Sequence, residues 1–526
     1  MASQHTTVEG LPKGSFRQSM AWLHTWAGLT LGWLLFFMFV TGTAGYFDTE
    51  IDRWMQPELP PAQLDHSVYH SSALLLEKAE TWAPGAEQWL FTLPVDRNEP
   101  YAELFWRGAD TEAGANAEQG ERRIDLNTGE PLKARDTGGG QKLYQMHWLL
   151  HYTTRAYSDW IVTTATLFMF VALITGVIIH KKIFKDFFTF RPRKGQRSWL
   201  DAHNVLSVTT LPFQLMITYS GLIFMAFSYM PLIVAAHYGT DGSDFYDEVF
   251  SPPGLVEPAE APATLTPLTP LMAEAESRWG EGRLRRIDIR HPSDKNARIV
   301  LSESIDDSIS SGAGRLVFDG VSGELLHSAP SASSPAKGVR DAFLGLHEGL
   351  FAPPMLRWLY FISGLLGTGM VGTGLILWAV KRRQNAERKG GSAPRGVRLV
   401  EKLNIGTVVG LPVGVAAYFW ANRLLPAELA TRASWEAHAM FLTWLAMLIH
   451  AAVRPRQKAW AEQLTVAALA FSALPILNAL TTDRHLAHSL ATDDWVFVGF
   501  DLTVLAIGVA LGAAAWRAHV ALGETS

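Results

Sequence analysis

WIVTTATLFMFVALITGVII, residues 160–179, runs straight into HKKIFKDFFTFRPRKGQR, residues 180–197, and after Ser198 into WLDAHN, residues 199–204. The first stretch carries no charge. At about 1.5 Å per residue it is long enough for a bilayer core of about 30 Å. The second holds seven Lys or Arg between Lys181 and Arg197. Loops rich in Lys and Arg stay on the cytoplasmic side, so this one is expected inside. WLDAHN then opens a further membrane helix, with His203 close to its inner end. His180 closes one helix and His203 opens the next, both at the inner boundary.

Working outward, the 526 residues are 48% hydrophobic, and the apolar residues lie in long runs. The fold class expected is a polytopic α-helical membrane protein with extramembrane domains. The net charge of −5 says little beside the asymmetry between loops. There is no Cys, which excludes disulfides, Cys-ligated clusters and covalently attached c-type haem. A redox metal here is left to His, Met, Tyr or carboxylates. Many of the nineteen Trp sit at helix ends, as interfacial anchors do.

Residues 1–46 read as an inner tail and an uncleaved first helix, Trp22–Tyr46, because no small-residue cleavage pattern follows it. Gly28 and Gly32 form G-x-x-x-G, a close-packing pattern. Residues 47–146 are polar and expected outside, with strand signals at Trp89–Leu93, Tyr101–Trp106 and 124–132; Asn127–Gly129 supplies the turn. Residues 147–236 hold the second helix, the basic loop and the third helix. Residues 237–346 form a second outside segment, irregular at Ser251–Pro270, with strands at Arg285–Arg290, Ala297–Ser302 and Arg315–Phe318. Residues 347–381 contain the fourth helix, Trp358–Val380. An inner linker, 382–402, leads to 403–526 and four additional helices near 403–421, 435–453, 461–480 and 495–516. Eight helices and two cytoplasmic termini result.

The first 380 residues repeat. His24 to Gly42 spans 18 residues, as does His203 to Gly221; Trp160 to Gly176 spans 16, as does Trp358 to Gly374. IDLNTGEPL, 124–132, also matches VFDGVSGELL, 317–326. Each half is a pseudo-repeated helix, α+β domain and helix.

The repeat pairs the histidines. His24 and His203 take equivalent places near the inner ends of the first and third helices. His147 and His347 do so outside, before the second and fourth. His151, four residues after His147, is expected on the same helix face, and His180 stands where Trp378 stands in the other half. A lone interfacial histidine is commonly just bonded to a backbone carbonyl. Two pairs on opposite faces ask for shared partners. H-x-x-x-H resembles a zinc pair, but H147-W-L-L-H151 lacks the neighbouring Glu, and zinc leaves the inner pair unexplained. Bis-histidine haem b accounts for both pairs. G367-T-G-M-V-G372 matches a dinucleotide motif yet lies within a membrane helix, so its glycines read as packing. H485-L-A-H488 reads as solvated loop. His438 and His450 in the sixth helix are candidates for an additional site.

With these residues in view, the chain resembles the PepSY-associated transmembrane family, which includes inner-membrane ferric-siderophore reductases. The resemblance lies in WLHTWAGLTLGWLLFFMFVTGTAGYF (22–47), LYQMHWLLHY (143–152), SWLDAHNVLSVTTLPFQLMITYSGL (198–222) and GLHEGLFAPPMLRWL (345–359). D125-L-N-T-G-E130 and D319-G-V-S-G-E324 look like PepSY-domain turns. The likeness covers roughly residues 15–385.

The resemblance implies two haem b groups and reduction of ferric siderophore, Fe3+ to Fe2+, on the periplasmic face of the bacterial inner membrane. Carried over by position, the ligands are His24, His203, His147 and His347, with His151 and His180 as alternatives. No flavin or nicotinamide domain is visible, so a separate electron donor is expected, a quinol or a cytoplasmic reductase. Membrane lipid is the other expected partner, and nucleic acid is not one. The alternatives are an iron-chelate transporter and a PepSY-type sensor or anchor without enzyme activity.

Overall fold

The computed structural model describes residues 15–108, 119–180, 189–192, 194–239, 244–245, 254–306, 308–331 and 334–523. Among them, seven helices are long and apolar enough to cross a membrane: Phe16–Met55, Arg155–Ile179, Pro354–Arg388, Arg395–Leu424, Arg432–Val453, Arg456–Thr481 and Trp495–Gly523. The protein is a multi-pass helical membrane protein. The expected unbroken third helix is instead two pieces, Gln196–Thr209 and Leu211–Phe224, bent by 68°. The chain V-T-T-L-P explains the break. Pro212 has no N–H and disfavours helical backbone at Leu211. The Thr209 and Thr210 hydroxyls bond back to the carbonyls of Val205 and Leu206 at 2.7 and 2.8 Å, which bends helices further.

Two other boundaries move. The fourth helix runs Pro354–Arg388, and the next begins at Arg395. The expected 382–402 linker is therefore mostly helical, and only residues 389–394 connect. Nothing in KRRQNAER breaks a helix until Gly390, which adopts φ +74°, and Arg383 ties both helices together through Glu401 at 2.5 Å. The second membrane helix begins at Arg155, five residues ahead of the uncharged run from Trp160. A separate short helix, Gly139–Met146, ends at His147, and 147–154 turn between the two. His147 and His151 thus do not share a helix face. Much of the basic loop, 181–188 and 193, lies outside the described residues, as do 251–253 of the expected irregular stretch; the described part of that stretch gives way to helix at Leu268.

The two soluble segments were expected as separate domains. Their strands form one antiparallel sheet in the order β3-β2-β1-β4-β5-β6-β7. These strands are β1 Gln88–Thr92, β2 Ala102–Arg107, β3 Gly120–Ile124, β4 Leu284–Arg290, β5 Arg298–Glu303, β6 Arg315–Asp319 and β7 Leu325–Ala329. The seam is β1 against β4, with Trp89 opposite Ile289 and Phe91 opposite Ile287. Both strands are apolar enough to be central, which removes an exposed edge from each segment. Helices Val68–Trp82 and Leu268–Trp279 cover one face, joined through Tyr69 Oη, which donates to Glu276 at 2.6 Å. Leu75, Phe91, Leu104, Met272, Ile287 and Phe318 belong to the one core beneath them. The two acidic turns fold alike. Gly129 N–H donates to the Asp125 carbonyl at 2.7 Å, and Gly323 N–H to that of Asp319 at 3.0 Å.

The four C-terminal helices are clamped to the sheet side of the first half by buried charge. Arg53 pairs with Asp494 at 2.6 Å. The Trp54 indole donates to Asp501 at 3.0 Å, and Arg423 lies 3.8 Å from the Trp54 ring. Arg432 and Glu436 pair at zero exposure, and Glu436 accepts from Thr137 and from the Gly138 N–H. Removing one member of such a pair leaves an uncompensated buried charge.

Topology is open to a direct test. Ser304 is buried, with its hydroxyl 3.2 Å from Asp96, and Asn116 lies outside the described residues, so neither suits a label. Asn127 and Ser322 are exposed at the sheet turns, and Lys389 is exposed at the basic end of the fourth helix. Cysteines placed at Asn127 and Ser322 are expected to react with an impermeant maleimide in intact cells, and one at Lys389 only after lysis. The reverse pattern would invert the orientation.

Candidate functional site

The helices bring the histidines together in two pairs. His24 and His203 have ring centres 6.4 Å apart at 66°; His147 and His347 have theirs 6.1 Å apart at 45°. One pair lies toward the basic-loop end of the bundle and the other under the sheet. With about 2 Å for each metal–nitrogen bond and roughly 1 Å from nitrogen to ring centre, imidazoles sharing one metal ion sit about 6 Å apart. Both pairs fit that distance.

Each ring is oriented from behind. Nδ1 of His24 is 2.8 Å from the Ala172 carbonyl and 3.3 Å from the Thr175 hydroxyl. Nδ1 of His203 is 2.9 Å from the Met370 carbonyl and 3.4 Å from the Thr373 hydroxyl. Nδ1 of His147 is 2.7 Å from the Met38 carbonyl. A carbonyl only accepts, so each of these nitrogens carries the proton and donates. Nδ1 of His347 is 2.9 Å from Ser220 Oγ, whose own proton goes to the Met216 carbonyl at 2.7 Å. His347 therefore donates too. In all four rings Nε2 keeps its lone pair, the arrangement that a backbone partner imposes on metal-binding histidines. Burial keeps the outer pair neutral: it lowers His147 and, reinforced by His147 itself, takes His347 down to about 3. Only a neutral imidazole binds a metal.

A glycine backs every ring. A Cβ on Gly42 would lie 2.6 Å from His147 Nδ1, one on Gly221 3.2 Å from His347 Cε1, one on Gly176 3.2 Å from His24 Cε1 and one on Gly374 3.1 Å from His203 Cε1. In each case a hydroxyl residue precedes the glycine: Thr41, Ser220, Thr175 and Thr373. The sequence marked these glycines as repeat positions and missed their task, which the hydroxyl–glycine dipeptide would have signalled.

The remaining histidines go elsewhere. His151 stacks on Phe441 with centres 5.5 Å apart and lies 5.9 Å from His438. His180 accepts from the Asn204 amide at Nε2, 3.0 Å away, which occupies the nitrogen a ligand needs. Neither joins a pair. His438 bonds the Tyr152 hydroxyl at 2.8 Å and His450 bonds Glu462 at 2.9 Å, at opposite ends of one helix, so they form no common site. Among the described residues no group of three or more His, Asp or Glu is placed to hold a metal ion, and H147-W-L-L-H151 does not form a zinc pair. Gly367 and Gly372 pack against Phe39 and Phe36, as helix-packing glycines do.

His147 and His347 line a cavity of about 860 Å³ between the bundle and the sheet. Its floor is largely apolar, with Met38, Val162, Met169 and Ile217; its walls carry Arg123, Arg285, Arg340, Glu99 and Glu103. The fit to a haem rests on these observations: paired rings whose centres lie at metal-sharing distance, Nδ1 anchors that leave each Nε2 free to bind, and, at the outer pair, an apolar floor under a polar roof.

Residues 21–381 match the family described as PepSY-associated TM region. The chain is also 25% identical over 358 residues to an uncharacterized protein of Pseudomonas aeruginosa, covering 65% of this chain and 86% of that protein.

Proposed function

Because the chain belongs to the PepSY-associated TM family, we propose that it is a di-haem b electron-transfer protein of the bacterial inner membrane that reduces ferric siderophores on the periplasmic side. The observation that carries this reading is the pair of histidine pairs, 6.4 and 6.1 Å between ring centres, at opposite ends of one bundle. In this reading the two soluble segments are PepSY-like, and residues 1–380 are two copies of one helix–sheet–helix unit. The matched seats support it: the carbonyl, hydroxyl and glycine that hold His24 recur in the same order around His203.

The paired histidines would hold haem b, which when bound would supply one-electron transfer. The protein's residues supply the rest. The Nδ1 anchors fix ring direction and tautomer. The close glycines let each of the first four membrane helices approach the ring it backs. The apolar floor limits water at the outer pair, and the charged walls give the cavity a polar mouth. The substrate logic is that of hard oxygen ligands, which hold Fe3+ tightly and the softer, less charged Fe2+ weakly. One-electron reduction therefore frees iron without destroying the chelator. The electron donor is a separate quinol or cytoplasmic reductase.

The purified protein is expected to give a haem b pyridine haemochrome at two per chain. After dithionite reduction it should be reoxidised by a ferric siderophore, with Fe2+ trapped by a ferrous chelator. Reduced protein that stays reduced before a panel of ferric chelates would sink the reductase reading. One observation favours a transporter: the third helix is broken by 68°, and discontinuous helices often mark transport sites. Uptake of a labelled iron chelate into proteoliposomes, with the chelate intact, would establish that alternative. Just after the break Gln214 is fully buried and its amide nitrogen donates to the Ser363 carbonyl at 3.2 Å, which ties the bend to the fourth helix and argues for a structural role.

A further inference from the structure

Among the described residues, two ring N–H groups near the inner histidine pair are buried and have no acceptor: Nδ1 of His180 and Nε1 of Trp378. The proton on His180 is placed by its neighbour. The Asn204 amide donates to Nε2, so Nε2 is the acceptor and Nδ1 carries the hydrogen. The Trp378 indole nitrogen is a donor by nature. A buried donor without a partner is costly and uncommon, and asks for an explanation. An interfacial tryptophan ordinarily points its N–H at water or headgroups; the Nε1 of this one is buried within the protein.

Their positions are matched. His180 follows Gly176, the glycine behind His24, by four residues; Trp378 follows Gly374, the glycine behind His203, by four residues. Each donor therefore stands about one helical turn, about 6 Å, nearer the basic-loop end than the ring its helix supports. One donor belongs to the helix behind each ring. Positive charge gathers at the same level. The Arg382 guanidinium lies 3.9 Å from the Trp378 ring and 6.0 Å from that of Trp26. Arg17 is anchored to the Ile179 carbonyl through Nε at 2.8 Å and a second nitrogen at 2.5 Å.

Two donors and two cations on the inner side of a pair of metal-facing imidazoles match an anionic, planar ligand whose carboxylates project from one edge. We propose that His180 Nδ1–H and Trp378 Nε1–H are the hydrogen-bond donors that hold the carboxylate edge of the haem bound by His24 and His203, with Arg382 as counter-charge. This inference rests on the di-haem reading above. It makes His180 a positioning residue, not an axial ligand, and it explains why a histidine and a tryptophan can fill equivalent places: what they share is a ring N–H.

The test is a redox titration of the purified full-length protein across pH, with haem counted in every sample. The inner component is identified as the one lost in His203→Ala. Trp378→Phe and His180→Phe remove one donor each while keeping a ring. Both variants are expected to retain two haems. Where the carboxylates are ionised, losing a donor leaves their charge less compensated beside the iron, which favours the ferric state. At a fixed potential above neutral pH, the oxidised-to-reduced ratio of the inner component should therefore rise by roughly three- to tenfold per lost donor. The pH range over which its midpoint titrates should move upward, and the outer component should not change. His180→Gln, which restores a side-chain N–H, should recover most of the shift. The inference is overturned if both Phe variants titrate like the unaltered protein, if the shift falls on the outer component, or if His180→Gln behaves as His180→Phe does. A haem count of zero in the unaltered protein removes the di-haem reading itself; two haems with unshifted variants removes only this assignment.

Discussion

His347→Ala is expected to purify with one haem where the unaltered protein has two, and to lose reoxidation by ferric siderophore by a factor on the order of 100 or more. His347 is half-buried at the end of helix Pro335–Glu348 and faces His147 at 6.1 Å between ring centres, lining the cavity under the sheet. Nothing nearby replaces it: His151 is turned toward Phe441 and His438. The inner pair shares no ligand with the outer one, so the haem remaining in His347→Ala should still be reduced by dithionite. His24→Ala and His203→Ala should instead lose the inner haem. His151→Ala and His180→Ala should keep both, since neither ring faces a pair. Full haem content in His347→Ala and His203→Ala alike, measured as pyridine haemochrome, would end the ligand assignment.

Gly42→Ala is expected to act almost as strongly without touching a ligand. Its Cβ would fall 2.6 Å from Nδ1 and 2.8 Å from Cε1 of His147, closer than real Cβ atoms come. The same Nδ1 bonds the Met38 carbonyl one turn earlier on that helix, so the added methyl would force the ring off this anchor and out of its seat. The outer haem should be lost or weakly held, with the inner spectrum intact. Gly221→Ala meets His347 at 3.2 Å and should have a milder effect. Gly28→Ala meets nothing within 4 Å and serves as the control, with a change within about 0.5 kcal/mol in stability. Equal haem content in the Gly42 and Gly28 variants would show that the glycine does not seat the ring.

Much of this was legible in the residues. Long uncharged runs bounded by basic loops placed the membrane helices, because the bilayer sets their length. The repeated His–Gly spacings placed His24, His203, His147 and His347 at equivalent points, and the fold brings those four into two pairs. The acidic turns at Asp125 and Asp319 were visible because turn chemistry is local. What was hidden depended on partners far along the chain. Pairing of β1 with β4 joins residues 200 apart, and no local signal announces it. The seat of His24 is on another helix, at Ala172 and Thr175. The break at Thr210 was legible in principle: the T-T-L-P sequence carries it, but an apolar run reads as continuous when only hydropathy is followed. Helices Val68–Trp82 and Leu268–Trp279 escaped because their apolar stripe is defined by the sheet they cover.

The first helix carries both ends of the system: His24 near one end and Gly42, the seat of His147, near the other, 18 residues on. At about 1.5 Å per residue that is about 27 Å of a hydrocarbon core about 30 Å thick. In the di-haem reading proposed above, an electron passing from the inner pair to the outer one would therefore cross nearly the whole membrane voltage. With the interior negative, the field would push negative charge outward, toward the sheet. Each electron delivered that way would gain close to 2.3 kcal/mol per 100 mV. Reduction at the outer pair would then be driven partly by that voltage, and dissipating it should slow iron release even with the electron donor in excess.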